Sequence, residues 1–144
     1  MTDPVVVLTR FLPASPAEVF AAFVDAEEIR RWWGPRGCET TEAEVDLRPG
    51  GRCRWVMRFD NEVRVLYGQV VEFEQDRRLV LKNMWDDPEN PATLITIEIR
   101  ARGAGSELTI RHEDLPAEPS PDDFRRGWTS SLSRLEELFG RKDP

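Results

Sequence analysis

Apolar and polar positions alternate along this chain with two periods, and each change of period marks a new element. From Ser120 to Gly140 (SPDDFRRGWTSSLSRLEELFG) the apolar residues Phe124, Trp128, Leu132, Leu135 and Phe139 recur every three or four positions, which places them on one face of a helix. Arg125, Arg126, Thr129, Ser130, Ser133, Arg134, Glu136 and Glu137 fill the other face. Ser120 suits the cap, Pro121 the first helical position, and Asp122 and Asp123 the positive end of the helix dipole; Gly140 followed by Arg141 and Lys142 ends the run. At about 1.5 Å per residue this helix is roughly 28 Å long, enough to cross a small sheet.

Val5 to Leu12 (VVVLTRFL) is β-branched and apolar and predicts a strand. Ser15-Pro16-Ala17-Glu18 carries a capping serine, a proline at the first helical position and an acid two residues on, so a short helix begins there with Val19, Phe20 and Phe23 on its inner side. Asp25 and Glu28 repeat the start signal for a second short helix bearing Ile29, Trp32 and Trp33, stopped by Gly34-Pro35. From Glu39 the period becomes two. Glu39 to Leu47 is a polar-rich strand, Arg48-Pro49-Gly50-Gly51 a turn, and Cys53, Trp55, Met57 and Phe59 then alternate with Arg52, Arg54 and Arg58. Asp60-Asn61 turns the chain into a long strand, Val63 to Glu74, whose Gly68 marks a bend or a close approach. Leu79, Leu81, Asn83 and Trp85 follow, then the acidic loop Asp86 to Pro91, then Ile95, Ile97 and Ile99. After Gly103-Ala104-Gly105 come Leu108, Ile110 and His112. Short turns join antiparallel neighbours. The expected architecture is therefore α+β, in the order strand, two short helices, six strands, long helix: a curved antiparallel sheet of about seven strands wrapped around the C-terminal helix.

A chain of 144 residues is the size of one domain, taken here as residues 1–144. Its 20 basic and 27 acidic residues leave a net charge of −7, which argues against nucleic acid and anionic membrane surfaces as partners. No apolar run reaches the length of a membrane span, and Val5 to Leu12 lacks the basic leader of a signal peptide, so a cytoplasmic location is expected. The two cysteines, Cys38 and Cys53, match no metal spacing and are expected as buried thiols rather than a bridge.

Taken in order, Ser15-Pro16-Ala17-Glu18-Val19-Phe20, Trp32-Trp33-Gly34-Pro35, Pro49-Gly50-Gly51 leading to Val56-Met57-Arg58, Gly68-Gln69-Val70, Leu79-Val80-Leu81, Leu108-Thr109-Ile110-Arg111-His112 and Gly127-Trp128 cover nearly the whole chain. This succession resembles the SRPBCC (START or Bet v 1-like) superfamily and, within it, the activator of heat-shock-protein-90 ATPase homologue-like family. The resemblance implies a helix-grip fold and a ligand-binding module, with no general set of catalytic residues and no cofactor to carry over. Asn83 stands where that family often has an aromatic residue.

The expected site lies between sheet and helix. Trp55, Met57, Trp85, Ile97, Trp128 and Leu132 are its predicted walls, with Phe59, Leu81 and Phe124 beside them, and Tyr67, Asn83 and His112 its polar contacts. An ordinary filled core is the plainer reading of any one of these side chains. His112, the only histidine, fits either a satisfied core position or a contact to a ligand. The row Arg52, Arg54, Arg58 and Arg64 is expected on the outer face, either as solvated ion pairs or as a protein-docking surface. Three functions follow in descending order. The first is binding of a small, largely apolar molecule by a monomer or homodimer. The second is a chaperone-associated regulator working through its surface, as the family resemblance implies. The third is an enzyme with His112 as acid or base, helped by an inward Glu72.

Overall fold

A computed structural model describes residues 5–140. The elements run β1 (Val5–Leu12), α1 (Pro16–Val24), α2 (Ala26–Trp32), β2 (Cys38–Val45), β3 (Arg52–Phe59), β4 (Glu62–Glu74), β5 (Arg78–Trp85), β6 (Thr93–Arg102), β7 (Gly105–Glu113) and α3 (Pro121–Gly140). This is the expected order. The strands form one antiparallel sheet, β1-β7-β6-β5-β4-β3-β2, curled into a half-barrel with β1 and β2 at its two edges. Strands adjacent in sequence from β2 to β7 pair through short turns. β1 instead pairs with β7, so the chain must cross from one sheet edge to the other, and α1 and α2 make that crossing.

Local chemistry starts the helices where the sequence predicts. Ser15 and Glu18 form a reciprocal capping box on α1, and the Asp25 side chain accepts from Glu27 N at the start of α2. Ser120 and Asp123 repeat the box on α3: Ser120 Oγ accepts from Asp123 N at 3.2 Å and Asp123 Oδ2 accepts from Ser120 N at 2.9 Å. Arg141 and Lys142, expected to close α3, lie outside the described residues.

Register shifts between Thr40 and Glu42 and between Val70 and Glu72 interrupt the ladders on β2 and β4. Such bulges sharpen the bend of a sheet that must wrap a helix. Gly68 lets the sheet accept a large ring: a Cβ there would come within 2.8 Å of the Trp55 ring. Trp55 lies against β4 because nothing protrudes at that position. The core gathers Val19, Phe20, Phe23 and Ile29 from α1 and α2, Leu132, Leu135 and Phe139 from α3, and Leu79, Leu81, Ile97, Leu108 and Ile110 from the sheet. Cys38 and Cys53 are free and buried, and burial pushes the Cys53 thiol up to about 12, so neither is a reactive thiolate at neutral pH.

Arg134, on the polar face of α3 by its periodicity, is not simply solvated. Its Nη1 donates to the carbonyls of Gly34 at 3.0 Å and Cys38 at 3.1 Å, and lies 3.3 Å from those of Trp33 and Pro35. A cation thus meets the carbonyl-rich end of α2 and straps the α2–β2 loop to α3. Arg36 adds to the strap through Ser130, Ser133 and Glu137.

Candidate functional site

A half-open concavity of about 320 Å³ lies between the first half of α3 and the ends of β3 to β7. That volume is at the lower end of small-molecule pockets. Its walls are mainly rings and aliphatic chains: Trp33, Met57, Phe59, Leu66, Trp85, Ile95, Phe124 and Trp128. The polar groups reaching it are Arg64, Asn83, Thr93, His112 and Asp123.

Strand register explains which side chains arrive there. On β3, Met57 and Phe59 face the helix, and β5 brings Asn83 and Trp85 to the same face. Asn83 pairs directly with Thr93 on β6, and His112 on β7 pairs with Ile95. Trp33 caps α2 with an extended backbone, which turns its ring over the sheet. There it stacks on Trp55 at 5.0 Å and meets the edge of Trp128 at 6.1 Å.

His112 joins helix to sheet. Trp128 Nε1 donates to His112 Nδ1 at 3.0 Å, and His112 Nε2 lies 2.7 Å from Thr93 Oγ1. Phe124 packs edge-on against the imidazole, centroids 5.0 Å apart. Burial holds the imidazole down to about 4, so the ring is neutral at neutral pH. Both ring nitrogens are thus engaged within the protein, one by α3 and one by β6.

Asn83 is 6% exposed, and its Oδ1 is buried without a hydrogen-bond partner. An unmatched buried acceptor costs about 1–3 kcal/mol. Trp55 Nε1 is buried without a partner as well, one layer behind the concavity. At the rim, the Arg64 guanidinium lies 4.5 Å over the Trp85 ring and donates to Asp86 at 2.8 Å. The Asp86 hydrogen bond raises the Arg64 pKa, so the group is a fixed cation. Hydrogen bonds from the Ser120 backbone and hydroxyl hold the Asp123 carboxyl below its ordinary range.

Of the twelve expected site residues, Met57, Phe59, Asn83, Trp85, His112, Phe124 and Trp128 line the concavity. Trp55 sits beneath Trp33, and Leu81, Ile97 and Leu132 belong to the filled core. Tyr67 is on the opposite face of the sheet, beside Arg54 and Met84. Glu72 does not turn inward: it is exposed and pairs with Arg78 at 3.1 Å. Arg64 departs from the expected outer row and faces Met57 across the β3–β4 ladder. Arg54 and Arg58 do lie outside, with salt bridges to Glu42 and Glu39. The sequence reading also missed Trp33, Leu66, Thr93, Ile95 and Asp123 as wall residues. Among the described residues no group of three or more potential ligands is placed to hold a metal ion, and no helix is long and apolar enough to cross a membrane.

The family described as Activator of Hsp90 ATPase homolog 1-like protein matches residues 13–140. The chain belongs to this family. No protein of curated function matches it in sequence. Among solved structures, this chain is similar to a protein from Chromobacterium violaceum, with 26% identity over 94% of this chain and 96% of that one and a TM-score of 0.84. It is similar in fold to the AHSA1 protein from Silicibacter pomeroyi, with 22% identity, 96% and 99% coverage and a TM-score of 0.84. CalU16 from Micromonospora echinospora shares the fold at 22% identity, covering 94% of this chain and 74% of that chain, with a TM-score of 0.68.

Proposed function

We propose that this protein binds a small, largely apolar molecule between the first half of α3 and the open end of the sheet. The observation that supports this most directly is the concavity itself: about 320 Å³ walled by aromatic and aliphatic side chains, with a few polar groups converging on it. Aromatic walls supply apolar contact and shape, and the few polar groups supply orientation. In this reading Trp85, Phe59, Phe124 and Trp128 are the contact surfaces and Asn83 and Thr93 the polar contacts, while Tyr67 has no part. The protein acts in the cytoplasm, as a monomer or a homodimer paired through an edge strand.

The test is native mass spectrometry of the protein purified from its own host. A co-purified molecule that is lost on Trp128→Ala, in a variant that keeps its fold, supports the reading. A bare wild-type protein together with no small-molecule binding in solution contradicts it.

The family description supports a second reading, docking on a chaperone through the outer face of the sheet. The arginines that would serve it, Arg54 and Arg58, already pair with Glu42 and Glu39 on the adjacent strand. Charge reversal at both abolishes docking in that reading and leaves small-molecule binding unchanged.

A further inference from the structure

We infer that the concavity selects a neutral ligand whose polar group is a hydrogen-bond acceptor, a carbonyl on a flat apolar body, and that the amide nitrogen of Asn83 is the group that reads it. The inference rests on the binding reading above and names the ligand chemistry that the same site prefers.

An asparagine side chain carries one acceptor oxygen and two donor hydrogens. Asn83 Oδ1 is sealed into the protein without a partner, out of a ligand's reach. Nδ2 makes no hydrogen bond either, but unlike Oδ1 it keeps accessible surface, and the residue lines the concavity. What Asn83 offers a ligand is therefore the N–H side of its amide. The side chain is only 6% exposed, so a ligand seated over it displaces the water that reaches those hydrogens. A ligand with an oxygen at that point replaces the lost bond, and one without it leaves a donor buried and unmatched.

The other polar groups give a donor on the ligand little to meet. Because Trp128 Nε1 donates to His112 Nδ1, that nitrogen is the unprotonated one, and the neutral ring carries its hydrogen on Nε2. Nε2–H then donates to Thr93 Oγ1, 2.7 Å away, which leaves Thr93 with a hydroxyl hydrogen still to give. The Asp123 carboxylate is held by Ser120 and Arg126. An anionic ligand would also accept, but Arg64, the cation that lines the concavity, is already bonded to Asp86, and Asp123 lines the concavity as well. Without a cation of its own, a carboxylate loses more hydration there than one amide restores. A ketone, aldehyde or ester carbonyl accepts without that cost.

The experiment compares three probes of nearly one shape by 1H–15N titration: 2-acetylnaphthalene, its alkene isostere 2-isopropenylnaphthalene, and 2-naphthoate. One neutral hydrogen bond gained in place of none predicts that the ketone binds roughly fivefold more tightly than the alkene. The naphthoate should bind more weakly than the ketone. Asn83→Leu should abolish the difference between ketone and alkene. A second reading needs no variant: in the wild type, the side-chain amide hydrogens of Asn83 should move downfield with the ketone and not with the alkene. Equal affinity for ketone and alkene, a difference that survives Asn83→Leu, a naphthoate that binds as tightly as the ketone, or amide signals of Asn83 that the ketone leaves in place overturns the inference and leaves the binding reading standing. Failure of all three probes to bind overturns both.

Discussion

The two ends of the space between sheet and helix are built on one plan and filled differently. At one end, Leu132, Leu135 and Phe139 of α3 join Val19 and Phe20 of α1 and Leu79, Ile97, Leu108 and Ile110 of the sheet, and none of these is more than 1% exposed. At the other end, Phe124 and Trp128 of the same helix and Phe59 and Trp85 of the same sheet are only partly buried, around a gap that also receives Asn83, Thr93 and His112. Closely packed aliphatic chains interlock and leave little space. Large rings held edge-on by an imidazole, with one acceptor left over, do not. The packed end therefore carries the stability of the fold, and the open end gives some of it up in leaving a gap and an unmatched acceptor.

This contrast predicts opposite responses to substitution. The largest losses belong to the packed end: Phe139→Ala should cost about 3–5 kcal/mol and Leu135→Ala about 2–5 kcal/mol, measured by urea denaturation. Gly68→Ala should be unusually costly for one methyl group, about 1–3 kcal/mol, because its Cβ meets the Trp55 ring at 2.8 Å.

Next comes a pH effect at the boundary between the two ends. The His112 pKa falls from 6.5 to about 4 on folding, so the unfolded chain binds the extra proton in that range. The folded state loses stability as pH falls through 6.5, and the loss is complete near 4, amounting to roughly 3 kcal/mol. It is read as the difference between wild type and His112→Gln across that range, which removes the contribution of the carboxylates common to both.

Arg134→Met should cost about 1.5–3 kcal/mol, since it strips the shared donor from the carbonyls of residues 33 to 38. It should also weaken binding, because that loop carries Trp33.

The smallest effect is the most diagnostic. Asn83→Leu should leave stability unchanged or raise it, since it replaces an unmatched acceptor by an apolar chain. A clear loss of stability there would place Asn83 among the supports of the fold and break the contrast.

Most of the architecture was legible because period and punctuation agree at every element. The capping pair Ser15 with Glu18, the cap at Ser120 with Pro121 after it, the turns at Pro49-Gly50-Gly51 and Asp60-Asn61, and the alternating strands all point to one layout. The site was legible only as a face. Alternation says that Leu81, Ile97 and Leu132 point inward. It does not say how far along the strand the helix stops filling the space, and these three fall on the filled side. Tyr67 and Arg64 were misplaced for a different reason, and a signal for them existed. The two-residue turn Asp60-Asn61 sets Phe59 against Glu62, hence Met57 against Arg64 and Arg54 against Tyr67. Counting through that hairpin sends Arg64 inward and Tyr67 outward. Glu72 could not be reached by counting, because the bulge between Val70 and Glu72 shifts the register there. Thr93 draws its role from Trp128 and His112, residues of two other elements that come together only in the folded chain.

The most direct test that the open end is the binding end is a 1H–15N titration with 2-naphthol. Shifts confined to the indole N–H groups of Trp33, Trp85 and Trp128 and to the backbone around Asn83, Thr93 and His112 are the predicted result. Shifts centred on Tyr67 and Arg54 on the outer face, or spread through Leu79 and Leu135, would contradict it.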